Sequence, residues 1–123
     1  MKGFEGDLKE IAKENELFRK VLFTSARGQL VVMNLQPGEE IGEEVHDADQ
    51  FIYVVKGEAE VVLNGDSIGF EKGAAAYIPE GTRHNVINRG DEPVKLFTIY
   101  SPPQHPDGFV EAAPPAKETV LAT

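Results

Sequence analysis

Gly73 to Asn88 reads GAAAYIPEGTRHNVIN, and this stretch decides the fold. Ala75 to Ile78 is a short apolar run, Pro79-Glu80-Gly81 is a turn, and His84 opens a second run that ends at Ile87. Apolar runs this short, bounded by proline and glycine, have the length of strands rather than helices. Upstream, Gly38 to Gly57 reads GEEIGEEVHDADQFIYVVKG and carries Glu44, His46 and Gln50. The expectation is that the two stretches face each other inside a β-barrel and hold a metal ion between them.

Working outward, short β-rich runs recur with turn residues between them, roughly every eight to twelve positions. They are Phe18 to Phe23, Gln29 to Leu35, Gln50 to Val55, Glu58 to Leu63, Ser67 to Phe70, Ala75 to Ile78, His84 to Ile87 and Val94 to Tyr100. Asn64-Gly65 is the strongest hairpin signal, because both central residues of a type I′ turn need positive φ. This spacing predicts an all-β sandwich or barrel rather than βαβ units. Ahead of it, residues 7 to 15 place Leu8, Ile11 and Ala12 at helical spacing behind Asp7 as N-cap, which predicts one short helix. The division expected is an N-terminal extension over 1–17, a barrel over 18–101 and a tail over 102–123 that holds five of the chain's eight prolines.

The 123 residues, 41% hydrophobic and 27% charged, suffice for one core. The formal charge of −9 excludes nucleic acid and anionic membrane as partners, since both are polyanions that need a basic surface. No cysteine is present, so a metal must be held by nitrogen and oxygen. No apolar run approaches the roughly 18 residues that span a bilayer. The N-terminal residues have no apolar signal region, and the compartment expected is cytoplasmic.

In a strand, residues two apart share a side, so Glu44 and His46 point together and Gln50 has the same parity. His84, beyond the Pro79-Glu80-Gly81 turn, can be brought opposite by a barrel. Two imidazoles, one carboxylate and one amide suit a divalent Mn, Fe, Zn, Ni or Co ion.

Gly73, Pro79, Gly81, His84 and Asn88 match every fixed position of the second cupin motif, G-x5-P-x-G-x2-H-x3-N, and the chain from Leu30 to Tyr100 resembles that family. In the first motif, G-x5-H-x-H-x3-4-E-x6-G, Gly38, His46 and Gly57 match, while Glu44 stands for the first histidine and Gln50 for the glutamate. The resemblance implies a double-stranded β-helix, or jelly-roll barrel, with one divalent metal on Glu44, His46, Gln50 and His84. It implies a small polar substrate and an isomerase-, cyclase- or dioxygenase-like reaction, or else a binding or sensing module without turnover.

Glu44 and Tyr100 are the expected catalytic side chains, the first to move protons and the second as a phenol at the pocket mouth. His105 reads as a surface histidine in the tail, with a lid over the opening as the alternative. Arg19 is placed to bind an anionic substrate, whereas Arg83 has the wrong parity to share the direction of His84. The run from Gln50 to Val55 is apolar on both faces, so its outer face, with Phe51, Tyr53 and Val55, needs a cover. The N-terminal segment or a second copy of the chain would supply it, and a homodimer is expected.

Overall fold

The computed structural model describes residues 2–115. It holds one helix, α1 (Leu8–Glu14), and nine strands: β1 (Arg19–Thr24), β2 (Gln29–Leu35), β3 (Asp49–Lys56), β4 (Ala59–Leu63), β5 (Asp66–Phe70), β6 (Ala75–Ile78), β7 (His84–Ile87), β8 (Val94–Ser101) and β9 (Val110–Glu111). Six form one antiparallel sheet in the order β6-β3-β8-β2-β1-β9, and three form another in the order β5-β4-β7. The strand order interleaves distant parts of the chain, as a jelly roll requires, and the fold is an all-β barrel of two facing sheets. Among the described residues no helix is long and apolar enough to cross a membrane.

Alternation sets what points inward. Ile52 and Val54 of β3, Val31 and Met33 of β2 and Leu96 of β8 meet Val61 of β4 and Val86 of β7 in one buried cluster between the sheets. Burying each such side chain contributes about 1.5–3 kcal/mol. The β4–β5 turn has φ 50° at Asn64 and 86° at Gly65, as the hairpin signal requires.

On the outer face of the large sheet, α1 covers part of what the sequence left bare. Asp7 accepts from the backbone N–H of Glu10 at 3.2 Å and caps the helix. Ala12 then packs with Val32 and Val55 against Leu8, Ile11, Tyr53 and Phe97. Val55, on the same side of β3 as Tyr53, joins this layer beside the bulge of β3 against β8 between Val54 and Lys56. One row further along, Tyr77, Phe51, Ile99, Leu30 and Phe23 lie opposite one another across five strands. Tyr77 is 64% exposed and Ile99 38%.

The tail returns β9 to the free edge of β1, pairing Val110 with Lys20 and Glu111 with Arg19. Residues 116–123 of the expected tail lie outside the described residues.

Candidate metal centre

The two motif stretches lie side by side and antiparallel. Gly38 N–H donates to the Asn88 carbonyl, Ile41 to Val86, Glu44 to His84, His84 back to Glu44, and Gly81 to His46, all between 2.8 and 3.0 Å. Asn88, fully buried, clamps the far end with its amide, donating to the Leu35 and Glu92 carbonyls. Glu44 and His84 thus face each other as a bridged pair, and His46 follows on the same side as Glu44.

Gln50 comes from the large sheet. It lies opposite Ile78 and Tyr100 in the last inward-facing row, and Tyr100 is in turn opposite Gln29. The His46 and His84 rings are 5.3 Å apart and the His46 and Tyr100 rings 5.4 Å. Glu44, His46 and His84 are therefore grouped with Tyr100, and Gln50 is that residue's strand neighbour.

Hydrogen bonding orients these side chains. His84 Nδ1 lies 2.9 Å from the Thr82 carbonyl, which can only accept, so Nδ1 carries the hydrogen and Nε2 keeps a lone pair. The Gln50 amide nitrogen donates to Thr98 Oγ1 at 3.0 Å, which turns its carbonyl oxygen the other way. His46 Nε2 and Glu44 Oε2 are 3.2 Å apart. Two ligands at about 2.1 Å from one ion and at right angles would be about 3.0 Å apart.

Charge follows position. Burial pushes the Glu44 carboxyl up, but His46, Arg19 and His84 outweigh it and hold it below its ordinary 4.5, ionised at neutral pH. The Tyr100 phenol is pushed far up, chiefly by burial, and keeps its proton.

Among the described residues, eight buried side-chain polar atoms have no hydrogen-bond partner. Folded proteins leave few such atoms, because each costs about 1–3 kcal/mol. Four of the eight are Glu44 Oε1, His46 Nε2, Gln50 Oε1 and His84 Nε2, one from each expected ligand; the 3.2 Å approach of His46 Nε2 to Glu44 Oε2 lacks hydrogen-bond geometry. That set fits a cation, which needs lone pairs and no hydrogens. Among the described residues no three His, Asp or Glu side chains form a ready-made cluster around one point. The fit therefore rests on the Glu44–His46 pair and on the free atoms of His84 and Gln50.

Tyr100 OH, His105 Nε2 and Arg19 Nε also lack partners. Gln50 is close enough to bear on the Tyr100 phenol, yet neither its oxygen nor the hydroxyl makes a hydrogen bond of proper geometry. His105 corrects its reading as a surface histidine. Its ring stacks on Phe109 at 5.6 Å and meets Tyr100 edge-on at 5.4 Å. Gln29, itself buried, explains this. Its Oε1 accepts from the backbone N–H of Gln104 and His105, and its Nε2 donates to the His105 carbonyl at 2.7 Å. The signal was present as a glutamine at an inward position of β2, but its partner lies 75 residues away. Arg83 is exposed and pairs with Glu43 at 3.0 Å, as its parity foretold.

The model of the Cupin domain family matches residues 31–100. The chain is 39% identical over 116 residues to the uncharacterized protein YrkC of Bacillus subtilis, covering 89% of this chain and 62% of YrkC. It is 32% identical over 90 residues to the tetracenomycin polyketide synthase protein TcmJ of Streptomyces glaucescens, covering 71% of this chain and 60% of TcmJ. It thus spans about three fifths of the length of both. The crystal structure of BH2720 from Bacillus halodurans superposes with a TM-score of 0.88 at 37% identity, covering 90% of this chain and 89% of that one.

Proposed function

The chain belongs to the cupin family, and on that premise we propose that it is a metal-dependent enzyme acting on a small polar molecule. Glu44, His46, Gln50 and His84 would hold one divalent ion, of Mn, Fe, Zn, Ni or Co, through their free nitrogen and oxygen atoms. The observation that carries this reading is the coincidence of four partnerless buried atoms with the four expected ligands. When bound, the ion supplies Lewis-acid polarisation of a substrate oxygen or, if it is iron, access to dioxygen chemistry.

The protein's own groups divide the remaining work. Glu44 is ionised and, with one carboxylate oxygen on the ion, can take a proton at the other. Tyr100 retains its proton and so donates through its hydroxyl instead of acting as a base. Those roles support isomerisation or cyclisation of a carbonyl compound, and the likeness to a polyketide synthase protein favours a substrate rich in carbonyls. Burial of all four atoms favours a second reading, a binding or sensing module that holds its ligand without turnover.

The proposed setting is the cytoplasm. The proposed assembly is a homodimer, in which a second copy covers the row of Tyr77, Phe51, Ile99, Leu30 and Phe23 that α1 leaves open. The barrel over 18–101, between the N-terminal extension and the tail, is proposed as the unit that carries the centre.

Metal analysis of the purified protein, alone and as His84→Ala, tests the centre. One ion per chain in the wild type, lost in the variant, is expected. Equal, substoichiometric metal in both would sink it.

A further inference from the structure

Apart from Asn34 Oδ1, on β2 opposite Lys95, three of the partnerless buried atoms belong to no expected ligand: Arg19 Nε, Tyr100 OH and His105 Nε2. The three residues come from three parts of the chain. Arg19 opens β1, opposite Met33 and so facing inward. Tyr100 ends the inward row of β8 beside Gln50. His105 sits on the segment between β8 and β9 that the Gln29 amide clamps by its backbone.

The grouping is spatial as well as chemical. The Tyr100 ring meets those of His46 and His105 alike, with ring centroids 5.4 Å away in both cases. The Arg19 side chain is only 7% exposed, and its charge reaches Glu44, Tyr100 and His105 alike. A buried guanidinium is ordinarily engaged fully. Here Nη1 pairs with Glu111 of β9, while Nε–H is left over. Arg19 Nε and Tyr100 OH both carry hydrogens, and His105 Nε2 can carry one, so the group as a whole offers donors. A cation suits the ligand atoms, and an anionic oxygen suits these.

We propose that Arg19, Tyr100 and His105 form an anion subsite beside the metal centre, which holds the carboxylate of a small substrate while the ion engages the rest of it. The proposal rests on the metal reading. With a divalent ion bound and the histidines neutral, the facing charges of Glu44, Arg19 and Glu111 leave one net positive charge, which a monocarboxylate neutralises. Each charge-assisted hydrogen bond to the carboxylate contributes about 1.5–3 kcal/mol, so losing one weakens binding roughly tenfold or more.

The test uses Co²⁺-loaded protein, titrated by calorimetry with acetate and benzoate, with acetamide and benzamide as uncharged counterparts. Cobalt absorption is read separately to report the centre itself. Arg19→Gln alone would strand the Glu111 carboxylate, so the informative variant is Arg19→Gln with Glu111→Gln, accompanied by Tyr100→Phe and His105→Phe. The expected result is a cobalt spectrum in every variant, carboxylate binding at least tenfold weaker in each, and no comparable binding of the amides to the wild type. Wild-type carboxylate affinity in the Arg19 and Tyr100 variants with cobalt intact would overturn the subsite and leave the metal reading standing. So would amides that bind as well as carboxylates, or a wild type that binds neither. Absence of a cobalt spectrum in the wild type would overturn both.

Discussion

Replacing Tyr100 by phenylalanine should stabilise the metal-free protein. The ring is fully buried, and its hydroxyl has no partner among the described residues. Phenylalanine keeps the packing against His46 and His105 and removes only the oxygen. An unsatisfied buried polar group costs about 1–3 kcal/mol, so the lower end of that range is a fair expectation for a change that leaves a small void. For a domain of this size 1 kcal/mol moves the melting temperature by roughly 3–6 °C. Thermal unfolding by circular dichroism after chelation, at fixed pH, measures it. A variant that melts lower than the wild type by a similar margin would refute this. The hydroxyl would then make a net favourable bond in the metal-free state, with the Gln50 oxygen as the nearest candidate.

Other outcomes follow from neighbouring parts of the molecule. Gly57→Ala should unfold at markedly lower urea than Gly65→Ala. Both glycines have φ of +86°, but a Cβ on Gly57 would sit 2.6 Å from the Pro93 carbonyl oxygen, whereas nothing lies within 4 Å at Gly65. The shared backbone strain costs about 1–2 kcal/mol, and the clash adds about 1–3 kcal/mol; equal urea midpoints would refute this. His105 is held below its ordinary 6.5 by burial first and by Arg19 and His46 besides, against the pull of Glu44 and Glu111. Its folded pKa being the lower one, its neutral form supports the fold above 6.5 and that support fades as pH falls below this value through the folded pKa. The urea midpoint should therefore drop less between pH 7 and pH 5 in His105→Gln than in the wild type, and an equal drop in both would contradict it. Phe51→Glu should yield monomers in sedimentation velocity if the uncovered row is a dimer face, and a persisting dimer would place the contact elsewhere.

The barrel was legible because its information is local. The short β-rich runs at residues 50–55 and 94–100 and the turn chemistry of Asn64-Gly65 each depend on a few adjacent residues, and the structure follows them closely. The grouping of Glu44, His46 and His84 could also be anticipated, since parity and one turn suffice to align them. What escaped depends on distance along the chain. β9 is two residues long and pairs with β1, 90 residues earlier in the chain. The inward turn of His105 is decided by Gln29, and nothing in PPQHPDG itself reveals it. The bulge at Leu22 turns Phe23 to the outer face, opposite Leu30, and no composition signal marks it.

Gln29 binds the segment around His105 through backbone groups alone: two N–H and one carbonyl. Its second donor contact, to Thr24 Oγ1 at 3.0 Å, is anchored within the sheet. A seat that recognises main chain is indifferent to the side chains mounted on it. Residues 104 and 105 can therefore be exchanged for others, proline excepted because it lacks the N–H whose hydrogen bond Gln29 accepts, without unlatching the segment, which makes them an interchangeable facing on a fixed frame. Libraries confined to these two positions, with Gln29 and Thr24 kept, would vary what the barrel presents at this end while the fold beneath stays as it is.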